Sequence, residues 1–220
     1  MLRDTFIDQL QLRLGRNNDP ELQTDIISVM EYVQTQILEV DVITPWFLVS
    51  DEYTSLVTSI GNEEVALPAD FIQLWEGSNL YRYNSALADP YLEMVRGDWR
   101  LVKDKYNTAG PPTHYDIAGA NLVMRPVADA EYPLRLRYIQ KQATLVGEYG
   151  VSNNIENGWL AWAADWFMGE VGVIVAGDIQ QQTDSKLKTF AAQRDRGRNR
   201  ILAKNVSMQE VLKRRIRGGG

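Results

Sequence analysis

His114 is the only histidine in 220 residues, and the chain has no cysteine. A two-histidine metal site, a two-histidine proton relay, a thiolate nucleophile and a Cys-based zinc site therefore all lack their residues. Ser/His/Asp catalysis would have to recruit His114, yet no serine stands in a Gly-x-Ser-x-Gly elbow. A lone histidine at a strand start is expected to be structural or solvated. Neither a Gly-x-x-x-x-Gly-Lys phosphate loop nor a Gly-x-Gly-x-x-Gly fingerprint occurs. The adjacent acids Asp51/Glu52 and Glu63/Glu64 bring to mind glycoside hydrolysis, where two carboxyls flank the bond. Neighbours on a strand point to opposite faces, however, so a solvated turn or sheet edge is the expected setting. Asn153 to Asn157 lacks the glycine and the distant glutamate of a calcium loop. The expectation is a chain without enzymatic activity, metal or cofactor.

What the sequence offers instead is charge and aromatic area. The net charge of -6 is unevenly divided. Lys186 to Gly220 holds eleven Lys or Arg against Asp195 and Glu210, a net +9 that leaves the remainder at -15. An acidic body discourages non-specific DNA binding, while a basic end invites nucleic acid or an acidic protein surface. Within that end, Arg194, Arg196, Arg198 and Arg200 alternate. Alternate helical residues lie about 200° apart, so these four spread around the rod instead of forming one DNA-reading face. Lys213, Arg214, Arg215 and Arg217 form a denser cluster, for which an acidic protein partner, a phosphate backbone and plain solubility all remain open. Trp159, Trp162 and Trp166 recur at i, i+3 and i+7, a stripe that suits a core or a subunit interface. Trp75 and Trp99 are candidate exposed contacts, because aromatics anchor protein interfaces, although either also suits a core.

Periodicity sets the elements that carry these residues. Phe6, Ile7, Leu10 and Leu14 share a helical face over Asp4 to Leu14, with Asp4 or Thr5 as N-cap and Gly15 just past the end. Leu22, Ile26, Val29, Met30, Val33, Ile37 and Val40 predict a second, longer helix, which makes a hairpin with the first. From Pro45 the signal changes. Trp46 to Val49 and Tyr53 to Thr58 read as strands, Val65 to Phe71 reads as a strand ending in a helical turn started by Pro68, and Asp89-Pro90 opens a predicted helix over Tyr91, Met94, Val95, Trp99 and Val102. His114 to Ile117 and Asn121 to Met124 flank an Ala118-Gly119-Ala120 turn, and Tyr132 to Ile139 alternates as a half-buried strand. Asn157 caps a predicted apolar helix running through Ile174. After Gly177-Asp178 a last long helix carries the arginines, and Met208 to Gly220 is expected to be a tail that is disordered without its partner. The predicted fold class is α+β: a helical bundle from 1–44 and 151–207, a β-rich insertion over 45–150, and a basic tail at 208–220. With 45% hydrophobic residues and no run near the roughly 18 apolar residues a bilayer needs, the chain reads as globular and without a membrane partner. Its first residues do not resemble a secretory signal, so synthesis in the cytoplasm is expected.

Several short pieces together resemble a known family. Leu67-Pro68-Ala69-Asp70-Phe71, Pro112-Thr113-His114-Tyr115-Asp116-Ile117, Asn121-Leu122-Val123-Met124-Arg125-Pro126, the Tyr132 to Tyr138 strand and the two C-terminal helices are similar, across about residues 4 to 203, to tailed-bacteriophage head-to-tail adaptor proteins. Arg135 and Arg137 depart from the aliphatic-and-tyrosine pattern of that strand and are expected to face solvent or a neighbouring subunit. The resemblance implies a structural virion protein at the head-tail junction, assembled as a dodecameric ring between the portal protein and the tail nozzle protein. The ring would line a channel through which genomic DNA passes without sequence-specific binding. It also implies that Lys213 to Arg217 reach the portal; Arg194, Arg196, Arg198 and Arg200 are further candidates to face the portal or a neighbouring subunit, and Trp75 and Trp99 are candidate tail-side contacts. The competing readings are a nucleic-acid-binding module using the basic C-terminal region and a carbohydrate-active protein using the aromatic and acidic residues of the insertion.

Overall fold

A computed structural model describes the backbone of the 220-residue chain except 41–43, 51–52, 76–79, 85–90, 99–107, 146, 148, 151–154 and 218–220; the side chains of 37–40, 53–55 and 209–217 are also outside the description. The fold is α+β, and the chain divides into two compact units: Met1–Leu48 with Gln142–Gly220, and Val49–Lys141.

The first unit is helical. Helix α1 (Arg3–Leu14) buries Phe6, Ile7, Leu10 and Leu14, and stops where Gly15 takes φ 77, a left-handed conformation that costs glycine nothing. Helix α2 (Pro20–Val40) starts with proline at its first position. The Asp19 carboxylate accepts the Glu21 and Leu22 N–H groups at 3.1 Å each. The Leu22 amide above all, with the Arg16 guanidinium, holds that carboxyl below its ordinary pKa. Helices α3 (Gly158–Trp162) and α4 (Ala164–Ile174) replace the single helix expected from Asn157 to Ile174. Ala163, at φ -122 and ψ 23, breaks the rod without any glycine or proline to announce it. Helix α5 (Asp184–Arg217) runs for 34 residues, after a π-helical turn at Val175–Ile179. Its backbone is helical where a disordered tail from Met208 was expected, because nothing between Asp184 and Arg217 stops it: no proline occurs there and good helix formers predominate. Trp46–Leu48 is a short 3-10 turn, not the expected strand. The Asn205 side chain accepts the Trp46 N–H at 2.7 Å and donates to the Thr44 carbonyl at 2.8 Å, a tertiary tie that overrides the β-propensity of the aromatic pair.

Asn157 does more than cap α3. Its Oδ1 accepts the Trp159 and Leu160 N–H groups at 3.1 and 3.3 Å, and its Nδ2 donates to Gln34 Oε1 at 2.9 Å and to the Ala143 carbonyl at 3.0 Å. Every hydrogen-bonding group of a 7% exposed amide is thereby used. Asn157→Ala is expected to lower stability by about 2–3 kcal/mol, the sum of a lost cap and of partners left unsatisfied in the interior. Urea denaturation measures it. Two further ties fix α1: buried Arg3 donates to the Leu145 carbonyl at 3.3 Å, and the Tyr149 hydroxyl donates to Asp8, which pushes the phenol up to about 12.

The second unit is a set of small sheets, antiparallel in every pairing except that of Val95–Arg96 with His114–Ala118, which is parallel. Strands β1 (Tyr53–Val57), β9 (Pro133–Leu136), β4 (Tyr81–Tyr83) and β5 (Tyr91–Glu93) form one sheet in the order β1-β9-β4-β5. A second sheet has the order β2-β8-β7-β6, from Glu64–Ala66, Asn121–Arg125, His114–Ala118 and Val95–Arg96. Strands β3 (Phe71–Leu74) and β10 (Tyr138–Gln140) pair with each other. Leu56, Leu80, Met94, Tyr115, Leu122, Met124, Leu134, Leu136 and Tyr138 fill the core. The β7–β8 hairpin turns as expected: Ala118 pairs with Asn121, and Gly119 takes φ 61 at the first of two loop residues.

Two expectations fail in this unit. The helix predicted over residues 89–102 is absent from its described part, which forms β5 and β6. Tyr91, Met94 and Val95 fit a helical spacing, but the Met94 N–H is taken by the Leu80 carbonyl and the Val95 N–H by that of Thr113. Arg137 does not face solvent, whereas Arg135 stays partly exposed. The strand is interrupted between them, so that β9 and β10 join different sheets, and this turns Arg137 inward to 8% exposure. The Arg135 guanidinium lies 3.7 Å from the Tyr91 ring centroid, where the aromatic face holds the cation.

Candidate partner-binding surface

The placement of the arginines follows from three glycines. Helix α4 is buried through Trp166, Phe167, Met168, Val171 and Gly172, and it lies against α5. At Gly197 a methyl would stand 2.6 Å from Trp166 Cα, at Gly169 it would run into the backbone of Arg194, and at Gly172 it would meet the Phe190 ring at 2.7 Å. These contacts set the closest approach of the two helices. With Gly197 in the contact, the arginines fall to its two flanks. Arg194 and Arg198 share one, where Arg194 Nε sits 3.0 Å from Asp195 and 4.0 Å from Glu170. Arg196 and Arg200 share the other, and Arg200 donates to Asp165 at 2.7 Å. The run is thus spread around the helix, as its spacing predicts.

The Arg196/Arg200 flank faces open space. A hollow of about 270 Å³ is lined by Arg13, Asp165, Thr189, Gln193, Arg196 and Arg200, and Arg13 is hydrogen-bonded to Gln193. A shallow depression of about 690 Å³, lined by Asp184, Ser185, Lys188, Thr189, Ala192 and Arg196, shares two of those residues. Neither Lys188 nor Arg196 makes an ion pair among the described residues. The sequence reading had singled out Arg196 and Arg200 here but had missed Arg13 and Lys188, one on a different helix and the other an isolated lysine.

A second exposed feature also escaped the sequence. Trp159 and Trp166 are core residues at 0% and 1% exposure, but Trp162, grouped with them as one stripe, is 54% exposed. The break at Ala163 turns it out of register. Its ring lies 5.0 Å from Trp46, and Lys204 Nζ stands 5.0 and 4.7 Å from the Trp46 and Trp162 centroids. One cation thereby bridges two indoles. The i+3 spacing was the only signal in the sequence, and it left core and subunit interface both open for all three tryptophans.

The remaining candidates are quickly placed. Trp75 is 3% exposed and is not a surface contact: its side chain is interior, and its backbone N–H is taken by the Arg137 carbonyl. Trp99 and Asp51/Glu52 lie outside the described residues. Lys213, Arg214, Arg215 and Arg217 stand on the helical backbone of α5, with side chains outside the description. His114 begins β7 beside the Thr113 hydroxyl at 2.9 Å. The Glu63/Glu64 pair is engaged structurally, Glu63 with Arg125 and Glu64 with Asn121 Nδ2 at 2.7 Å. No helix among the described residues is long and apolar enough to cross a membrane.

Surface charge gathered on one long helix, with exposed tryptophan beside it, is the make-up of a protein that works through its contacts with other chains. The chain matches the SU10 adaptor protein family over residues 1–215 and belongs to it, a phage head-tail adaptor family. It is accordingly a structural component of the virion with a role between head and tail. No individually curated protein matches it.

Proposed function

We propose that this chain assembles into a closed, dodecameric ring that joins the portal protein to the tail nozzle protein and lines the channel through which the genome passes. The observation that carries this reading is the charge separation: eleven of the 23 basic residues lie on α5, while the rest of the chain is strongly acidic. Opposite charge on different surfaces of one chain favours head-to-tail contacts between copies, the kind that close a ring. An acidic wall around a channel repels phosphate, so DNA slides without adhering. Helix α5 has a length of about 50 Å at 1.5 Å per residue and far outruns the 11-residue α4. Its last turns, with Lys213, Arg214, Arg215 and Arg217, reach an acidic surface of the portal.

The test is co-sedimentation with the portal ring of the same phage. Lys213→Glu/Arg214→Glu/Arg215→Glu is expected to bind at least tenfold more weakly than the unchanged chain, with an unchanged circular dichroism spectrum. Equal portal binding by the variant, together with loss of salt-sensitive DNA retention, would instead make the basic end a nucleic-acid module.

A further inference from the structure

We propose that the exposed α2 face carrying Glu21 and Asp25 docks onto the α5 face carrying Lys188 and Arg196 in a second copy of the chain. This names the contact by which neighbours would join, and it rests on the ring reading above. Helix α2 contains Glu21, Asp25, Glu31 and Glu39 and no basic residue, whereas α5 sets eleven cations against Asp184, Asp195 and Glu210. Glu31 is used within its own chain, where it accepts the Leu145 N–H. Glu21 and Asp25 make no ion pair among the described residues, and neither do Lys188 and Arg196. Two unneutralised anions on one helix and two unneutralised cations on another are complementary only between copies, each face being open in its own chain.

Shape agrees with charge. On α5, Ser185, Thr189, Ala192 and Arg196 follow each other at four, three and four residues, a single helical stripe lying along the 690 Å³ depression. Its small side chains leave room for a second helix to lie against it. On α2, Glu21, Thr24, Ser28 and Tyr32 form the matching stripe at three, four and four, again with small residues at the centre and with Tyr32 57% exposed as an aromatic anchor. The two stripes are different surfaces, so the contact is heterologous and each copy keeps one free face of each kind for the next neighbour.

The absence of cysteine makes this contact directly testable. Ser28→Cys and Ala192→Cys, both at exposed positions, are made in separate chains and treated with a short bis-maleimide at high protein concentration. The mixture is expected to give at least tenfold more cross-linked dimer than either chain alone. Adding Lys188→Glu/Arg196→Glu to the Ala192→Cys chain should return the yield to background, and adding Glu21→Lys/Asp25→Lys to its partner should restore it. Self-association by light scattering without a mixed cross-link, or a cross-link indifferent to the reversals, overturns this contact and leaves the ring reading standing. A wild-type chain that stays at 25.0 kDa at every concentration, alone and with the portal ring present, removes the ring reading and this contact with it. DNA retention lost in Lys188→Glu/Arg196→Glu, with no cross-link in the parent mixture, overturns it in favour of a phosphate-binding face.

Discussion

Gly197→Ala is expected to destabilise the helical unit, against the trend for glycine in a helix. In an open helix interior the substitution gains about 1 kcal/mol, because alanine surrenders less backbone freedom. At Gly197 the added methyl would lie 2.6 Å from Trp166 Cα and 2.8 Å from the Asp165 carbonyl carbon. Those are backbone atoms of α4 and cannot turn aside as a flexible side chain can. Overpacking of this kind costs about 3 kcal/mol and exceeds the propensity gain, leaving a net loss near 2 kcal/mol. For a chain of this size that is a fall of about 4–8 °C in melting temperature. Ala192→Gly, on the exposed face of the same helix, supplies the contrast: it should lose about 1 kcal/mol from propensity alone. Calorimetry on both variants decides the matter, and a rise in melting temperature for Gly197→Ala would show that α4 and α5 are not in close contact.

Trp159→Ala is expected to cost the most of any single truncation, about 3–5 kcal/mol. Its indole is fully buried, with ring centroids of Phe47, Trp166 and Phe167 at 5.2, 5.6 and 6.0 Å. Its N–H finds no hydrogen-bond partner among the described residues, so packing alone holds it. Trp162→Ala, three residues away and 54% exposed, should cost about 1 kcal/mol, from its contacts with Trp46 and Lys204. The pair separates core from surface within what the sequence shows as one stripe. Denaturation midpoints that moved equally would contradict the division of this segment at Ala163.

The parts legible in the sequence were those whose signals are local. The Gly15 stop, the Asn157 cap and the Gly119 turn are each fixed by a residue whose own chemistry is the structure. Residues 46–48 and 91–96 were misread because their backbone partners are distant: Asn205 for Trp46, Leu80 and Thr113 for Met94 and Val95. Arg137 was misplaced for a related reason, since a break that sends β9 and β10 to different sheets leaves no mark on an alternating pattern. The arginine run was readable as spread around a helix, but which arginines face outward was not. That is decided by Gly169, Gly172 and Gly197, three residues that in sequence merely look unfavourable to a helix. Arg13 and Lys188 join the candidate surface only through the folded arrangement of α1 and α5.

The central claim is assembly into a closed ring on the portal, and mass tests it most directly. Light scattering of the chain over rising concentration, alone and with the portal ring of its phage, should reach a plateau that further protein does not exceed. For twelve copies of a 25.0 kDa chain the added mass is about 300 kDa. A mass that climbs without limit would mean an open filament, and a chain that remains at 25.0 kDa with portal present would contradict the account.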